Sequence, residues 1–352
     1  MVRTVSLRNF RSYARLDVDL EPGLVLVVGP NGAGKTNLLE SLHVGTQGFS
    51  PRTRADAQLI RFGESSARVA LRGARGQSEL ELELLLRAGE AKRARLNGAP
   101  LRAAEQLRAE VATLVFTPDR LAVIKGGPAV RRAYFDRVLG RLAPARATLS
   151  VEYGAVVAQR NAALRRIAAG FSTRDALAPW TERVAELGGA LVQARRQAIA
   201  ALGPSFTEHA GELGLPEAVL RYEGEPPTAE ALERRYDRDV ERGWTGLGPH
   251  LDDVGIVAGA RDLRGFGSQG EQRIAVLSLL LGEADLIAER SGIPPLLLLD
   301  DVLSELDPER RRILAERISR RGQTLVTSTT AGALPTEPDQ LLEVTPGHAV
   351  AR

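Results

Sequence analysis

Residues 24–36 read Leu24-Val25-Leu26-Val27-Val28-Gly29-Pro30-Asn31-Gly32-Ala33-Gly34-Lys35-Thr36, and this stretch decides the fold. Leu24–Val28 is an apolar, partly β-branched run ending at a glycine, the pattern of a buried strand. From Lys35 to about His43 the spacing is that of a helix. The eight residues between follow the form GxxxxGK[ST], in the strand-then-helix context that a phosphate loop requires. Its glycines let backbone N–H groups turn inward toward phosphates, and the helix N-terminus adds a favourable dipole. Lys35 then reaches the β- and γ-phosphates, and the Thr36 hydroxyl ligates Mg²⁺. The implied ligand is ATP, bound through Gly29, Pro30, Asn31, Gly32, Ala33, Gly34, Lys35 and Thr36.

A second strand-like run, Leu296-Leu297-Leu298-Leu299, ends in Asp300-Asp301. A carboxylate at the end of a buried strand near the phosphate loop suits Mg²⁺, a role that falls to Asp300. The next acid, Asp301, is placed to orient or deprotonate the attacking water. Upstream, Ser268-Gln269-Gly270-Glu271 opens an apolar helix. Ser268 and Glu271 form a capping box, which is a sufficient local reason for both residues. A serine and a glycine at a helix start also suit a second phosphate-binding surface. Leu296 follows Ser268 by 28 positions, the arrangement of ABC-type ATPases. Asp307, before Pro308, reads as a helix cap, and Ser304-Glu305-Leu306-Asp307 also occupies the place of a D-loop. Gln47 lies twelve residues after Lys35, about where ABC-type ATPases carry a glutamine that touches Mg²⁺ and water, and likeness to them implies that role for it.

Further from these motifs the chain changes texture. Residues 2–8, 15–20, 68–73 and 79–87 read as strands, the last alternating Glu and Leu with period two. From about 128 to 212, Ala, Leu and Arg recur at helical spacing, broken at Pro128, Pro144 and 170–173. A further helix is expected at 228–242. After Gly246 strand texture returns at 254–257, Leu296–Leu299 and 325–327, with helices at 269–290 and 308–321 between. An α/β lobe is therefore expected from 1–117 and 246–352, with a mostly helical inserted lobe at 118–245.

The 352 residues leave room for two lobes. No apolar run approaches the roughly 20 residues of a membrane span. Arg3, Arg8 and Arg11 interrupt any signal-like start, and a cytoplasmic location is expected. There is no cysteine, which excludes thiol catalysis, disulfides and zinc fingers. Of the 47 basic side chains only Lys35, Lys92 and Lys125 are lysines, leaving 44 arginines. Where lysine survives, a compact ammonium is the better fit, as in a phosphate loop. The net charge of +3 and a pI near 9.5 point weakly to nucleic acid. Arg131, Arg132, Arg165, Arg166, Arg195 and Arg196 are candidate DNA contacts. Aromatics are only 4%, so backbone readout is expected rather than base stacking.

These elements together resemble the ABC-type, SMC-like head ATPases, and more narrowly the RecF family of bacterial recombination mediators. The resemblance rests on Leu7-Arg8-Asn9-Phe10-Arg11-Ser12-Tyr13 ahead of the phosphate loop, and on Ser50-Pro51-Arg52-Thr53 with Leu59-Ile60-Arg61-Phe62-Gly63. Phe116-Thr117-Pro118-Asp119, Lys125-Gly126-Gly127-Pro128, Gly248-Pro249-His250 with Asp252-Asp253, and residues 299–307 extend it to about residue 330. The resemblance implies an ATPase head with mixed β-sheets and slow, DNA-dependent hydrolysis. It implies a homodimer formed on ATP, in which Ser268 and Gly270 of one copy cap the nucleotide of the other. It implies recombinase loading at single-strand gaps with RecO and RecR, and contact of Arg11 with the ATP phosphates. The chain departs from the wider pattern at Glu271 for glutamine and Asp301 for glutamate. No histidine stands at Thr327-Ser328-Thr329-Thr330. A transporter nucleotide-binding subunit and an SMC-like head are the alternatives. The 233 residues from Lys35 to Ser268 are too many for the first, and the insertion is too short and proline-broken for a long coiled coil.

Overall fold

A computed structural model describes residues 1–352 apart from the side chain of Glu305. From the amino end the chain forms β1 (Val2–Phe10), β2 (Tyr13–Asp19), β3 (Leu24–Val28), α1 (Lys35–Gln47), β4 (Ser66–Arg75) and β5 (Ser78–Arg87). Next come β6 (Arg93–Leu96), β7 (Ala99–Pro100) and β8 (Thr113–Phe116). The middle holds α2 (Ala122–Lys125), α3 (Pro128–Leu142), α4 (Leu149–Ala168), α5 (Ala178–Glu212), β9 (Ala218–Tyr222), α6 (Ala229–Glu233) and α7 (Tyr236–Arg242). It continues with β10 (Val254–Ala258), β11 (Arg261–Asp262), α8 (Leu263–Phe266) and α9 (Gln269–Ser291). The carboxyl end adds β12 (Leu296–Leu299), α10 (Pro308–Ser319), β13 (Thr324–Ser328), β14 (Gln340–Thr345) and β15 (His348–Ala351).

The chain divides into two compact units, one of residues 1–120 and 287–352, the other of 121–286. The first unit holds two six-stranded sheets. One is antiparallel, in the order β2-β1-β4-β5-β6-β7. Its β5 alternates as the sequence implies, with Leu80, Leu82, Leu84 and Leu86 buried and Glu81, Glu83 and Leu85 half-buried between them. The other runs β15-β14-β3-β13-β12-β8, parallel from β14 to β8, with β15 antiparallel at its edge. All five residues of β3, all four of β12 and all five of β13 are buried, as the inner strands of a covered parallel sheet should be, though β13 reads Thr324-Leu325-Val326-Thr327-Ser328 and only β3 and β12 are continuously apolar. β12 does not lie directly beside β3; β13 intervenes, and this order shapes the site described below.

The second unit is built on α5, a helix of 35 residues with Pro204 inside it, and on α3 and α4. The expected helix at 228–242 is two short helices, α6 and α7. A three-stranded sheet, β11-β10-β9, also belongs to this unit. The sequence reading ends the helical lobe at 245, whereas the compact unit runs to Leu286. Strand texture alone does not say which sheet a strand joins. β10 pairs with β9, and residues 248–253 are fastened to the helices of the same unit. Arg195 on α5 donates to the Pro249 carbonyl at 2.7 Å, and Arg131 on α3 is paired with Asp253. The Tyr153 hydroxyl sits 2.7 Å from His250 Nδ1. His250 Nε2 lies 2.9 Å from the Thr245 carbonyl, so that nitrogen carries the proton and the ring accepts from Tyr153. Burial lowers the His250 pKa, in keeping with a neutral ring.

One ion pair is fully enclosed in this unit. Arg160 on α4 and Asp239 on α7 meet at 2.8 Å with both side chains at 0% exposure. Arg160 also donates to Thr245 Oγ1 at 3.0 Å and Thr181 Oγ1 at 3.2 Å. Removing one partner of such a pair strands a buried charge, at a cost of about 3–5 kcal/mol. Asp239→Ala should therefore lower unfolding stability by about that amount in urea titrations. A loss under about 1 kcal/mol would mean that water reaches Arg160 in the folded chain.

Candidate functional site

The phosphate loop leaves β3 and enters α1. Gly34 caps α1 with φ 115°, a left-handed value that glycine adopts freely. A Cβ there would come within 3.0 Å of Ser12 Oγ and of the Tyr13 hydroxyl. Gly29, at φ 158°, is nearly extended, but a Cβ on it would meet the Val344 carbonyl at 2.2 Å. The Tyr13 hydroxyl donates to the Gly34 carbonyl at 3.1 Å and so braces the loop from the β1–β2 turn. Lys35 Nζ donates to the carbonyls of Gly29 at 2.7 Å and Pro30 at 3.0 Å. Burial lowers the Lys35 pKa, and the nearby charges of Asp300 and Asp301 act the other way.

Asp300 lies at the carboxyl end of β12, where it is 8% exposed. The Thr36 hydroxyl meets its two carboxylate oxygens at 3.0 and 2.9 Å. The Thr327 hydroxyl, at the end of β13, donates to Asp300 Oδ1 at 2.8 Å and accepts from the Asp301 amide at 2.8 Å. Asp300 thus joins the start of α1 to the end of β13, the strand that separates β12 from β3. Sequence reading saw Thr327 only as a place without a histidine. Two hydroxyls contacting one acid across adjacent strand ends need the strand order, which the sequence does not print. Asp301 is exposed, with φ 52°. Burial raises the Asp300 pKa and its hydroxyl partners oppose that shift.

Beside the loop, Arg11, Ser12, Asn37, Arg52, Gln58, Ile60 and Arg61 line an open cleft of about 660 Å³. Buried Glu40 on α1 receives Arg11 Nε at 2.9 Å, Arg11 Nη2 at 2.8 Å, Arg52 Nη1 at 3.3 Å and Ser50 Oγ at 2.6 Å. The guanidinium groups of Arg11, Arg52 and Arg61 stand against the carboxylates of Glu40 and Glu64, so the wall keeps a positive excess suited to an anion. The sequence reading places Arg11 on phosphates. The structure gives three of its N–H directions to Glu40 and the Gln58 carbonyl and leaves two for a ligand.

Gln47 is a correction. It ends α1, about 18 Å along the axis from Lys35 at 1.5 Å per residue. Its side chain is buried and donates to the Val111 carbonyl at 2.9 Å, so it is not a ligand at this site. Arg131 and Arg195 are likewise buried in ion pairs with Asp253 and Asp136. They hold the second unit together and are not free for DNA. Arg165 and Arg166 are exposed in the last turn of α4.

In the second unit, Ser268 and Gln269 are exposed at the start of α9. The capping box is present: the Glu271 amide donates to Ser268 Oγ at 3.2 Å and the Ser268 amide to Glu271 Oε2 at 2.7 Å. That amide, followed by Arg261 at 2.9 Å, lowers the Glu271 pKa. At 304–307, Asp307 caps α10 through the Arg310 amide at 2.9 Å. The side chain of Glu305 in that segment lies outside the described residues.

Thr36 and Asp300 offer a hydroxyl and a carboxylate, hard oxygen donors at the mouth of a phosphate loop. Among the described residues no group of three His, Cys, Asp or Glu side chains could hold a metal alone. A Mg²⁺ ion bound mainly by phosphates and water, with one or two protein oxygens, fits this donor set. A carboxyl whose pKa is raised on folding loses stability as pH climbs through its ordinary range toward the raised value. Asp300→Asn should therefore be as stable as the parent or more so at neutral pH, its advantage appearing as pH climbs from the ordinary carboxylate range through the raised value and level above it. A thermal midpoint several degrees below the parent at pH 7 would make the carboxylate a structural group.

The family model described as "RecF/RecN/SMC N terminal domain" matches residues 1–351. The DNA replication and repair protein RecF of Heliobacterium modesticaldum is 35% identical over 354 residues, covering 97% of this chain and 95% of that one. The solved structure of a recombination mediator protein RecF–ATP in the RecFOR pathway is 26% identical with a TM-score of 0.87, covering 100% of this chain and 97% of that chain. An Smc head bound to the C-terminal winged-helix domain of ScpA is 17% identical with a TM-score of 0.62, covering 100% and 97%, a likeness of fold alone. No described helix is long and apolar enough to cross a membrane. With its SMC-like α/β head, its braced phosphate loop and this degree of similarity over almost its whole length, the chain belongs to the RecF family of DNA replication and repair proteins.

Proposed function

We propose that this protein is a cytoplasmic, ATP-dependent DNA-binding mediator of recombinational repair and replication, which dimerises on ATP and hydrolyses it slowly. The observation that carries the reading is the contact of Thr36 and Thr327 with Asp300. It puts a phosphate-loop hydroxyl and a buried carboxylate side by side where Mg²⁺ on a nucleotide would sit. Residues 29–36 wrap the phosphates, and Lys35 leaves its carbonyl partners to meet the β- and γ-oxygens. Thr36 and Asp300 hold the ion, which would draw charge from the γ-phosphate. Arg11 supplies further positive charge from the cleft. Asp301, exposed beside Asp300, orients the attacking water. A solved relative determined as a RecF–ATP structure supports ATP as the nucleotide.

Ser268 and Gly270 complete the site from a second copy. Glycine disfavours a helix relative to alanine by up to about 1 kcal/mol. At Gly270 no local need offsets that cost: a Cβ would find only Ser268 Oγ, at 4.0 Å. A bare backbone at an exposed helix start suits close approach by a phosphate from outside. The RecFOR pathway named for the solved relatives supports RecO and RecR as partners in loading recombinase at gaps. An aspartate at position 301, one methylene shorter than glutamate, holds water less closely and suits a timing switch. DNA binding through arginines such as Arg165 and Arg166 would read the backbone.

Three substitutions test the nucleotide reading by calorimetry and light scattering. Lys35→Met should lose nucleotide binding. Ser268→Arg should bind ATP as a monomer and fail to dimerise, and an ATP-dependent Ser268→Arg dimer would end the cross-copy model. Asp301→Asn should dimerise and persist; normal turnover in that variant moves the water-orienting role elsewhere. For DNA, affinity should fall roughly tenfold or more between 50 and 200 mM salt, with little sequence preference. Salt-independent affinity, or tight preference for one short sequence, would overturn backbone readout.

A further inference from the structure

Two phenylalanines stand out on the surface. Phe62 in the first unit is 102% exposed and Phe266 in the second is 74% exposed. Both are held rigidly. Phe62 is the second residue of a turn closed by the Glu64 amide on the Arg61 carbonyl at 3.0 Å, with Gly63 third at φ 87°. That turn is fastened by the Arg61 amide to the Asn9 carbonyl and by the Arg61 guanidinium to the Ser12 carbonyl, each at 2.8 Å. Asn9 Nδ2 adds a bond to Glu64 at 3.0 Å. Phe266 ends α8, whose start is capped by Asp262 on the Arg264 amide at 2.9 Å. Buried Leu263 anchors α8, and its carbonyl accepts from the Gly267 amide at 3.2 Å and from Gln272 Nε2 at 2.8 Å. A Cβ at 267 would lie 2.6 Å from that same carbonyl, so glycine is what lets the chain turn straight from Phe266 into Ser268.

A fully wetted aromatic ring on a rigid turn has apolar area to bury and little backbone freedom left to lose. This is the profile of an interface anchor. Charge says which surface buries it. Phe62 rises at the rim of a cleft lined by Arg11, Arg52 and Arg61, and Phe266 lies two residues from Arg264 and two from Ser268. The cleft keeps a positive excess over Glu40 and Glu64, and the charges around Phe266 are mixed, Arg261 and Arg264 standing with Asp262 and Glu271. A nucleotide polyphosphate in the cleft neutralises that excess and offers its outer phosphates to the helix start that follows Phe266 in a second copy.

We propose that Phe62 and Phe266 are the apolar anchors of the closed dimer, Phe62 from the copy that holds the nucleotide and Phe266 from the copy that presents Ser268. The inference rests on the cross-copy reading above and goes beyond it. ATP neutralises the arginines and admits the approach, and the rings supply apolar burial that an arginine-lined interface otherwise lacks. By two-fold symmetry each ring is buried twice, so each truncation counts twice.

The test is sedimentation of the full chain at ATP concentrations that saturate each variant's monomer. Phe62→Ala and Phe266→Ala should each raise the dimer dissociation constant by at least about tenfold. Phe266→Ala should keep the parent's monomer affinity for ATP. Phe171→Ala, removing a ring that is 78% exposed in the second unit, should dimerise like the parent. If both anchor variants dimerise like the parent, the proposal is wrong. It is equally wrong if Phe266→Ala dimerises normally and loses DNA affinity, which would make that ring a stacking platform for bases. A parent chain that stays monomeric with ATP would overturn the cross-copy reading itself, an outcome distinct from either.

Discussion

The carboxylate of Asp300, buried at the end of β12 and contacted by the hydroxyls of Thr36 and Thr327, ties three segments distant in the chain. Burial opposes its charge, and the two hydroxyls offset part of that cost. The phosphate loop, the acidic strand end and the end of the strand between them depend on this one contact for their spacing. Thr327 also receives the Asp301 amide, so the exposed acid is positioned by the same hydroxyl that orients the buried one.

A second carboxylate does comparable work on the other side of the loop. Glu40, on α1, gathers Arg11, Arg52 and Ser50, residues that the sequence scatters over some forty positions. Their shared partner explains why two separate motifs of the chain accompany one phosphate loop. The cleft they build is preorganised for an anion because its guanidinium groups are already held before a ligand meets them. Tyr13, bracing Gly34 from the turn beside Arg11, links the same wall to the loop backbone.

The arginine-rich second unit shows how easily charge misleads. Arg131, Arg160 and Arg195 look in sequence like any other basic residue of a nucleic-acid-binding surface. Each is buried against an aspartate, and together they hold residues 239–253 to the helices. A burial pattern is a property of the assembled helices, and the 3.6-residue spacing of an Ala-, Leu- and Arg-rich segment does not resolve which arginine turns inward.

The sequence by itself determined what local chemistry can encode. The phosphate loop, its strand and its helix were legible because glycine conformation, lysine and threonine must occur at fixed spacing. So were the capping box of Ser268 and Glu271, the Asp307 cap and the alternation of β5, since each depends on neighbours within a few residues. The resemblance carried by the arginine and GPH segments pointed to the family. Tertiary structure alone decided whatever depends on distant partners. It put β13 between β3 and β12 and so gave Thr327 its place. It turned Gln47 away to Val111, because twelve residues of straight helix separate it from the loop. It assigned β10 and β11 to a sheet with β9, since strand pairing is set by partners far along the chain. It also left Phe62 and Phe266 in water, which no periodicity in the sequence could have announced.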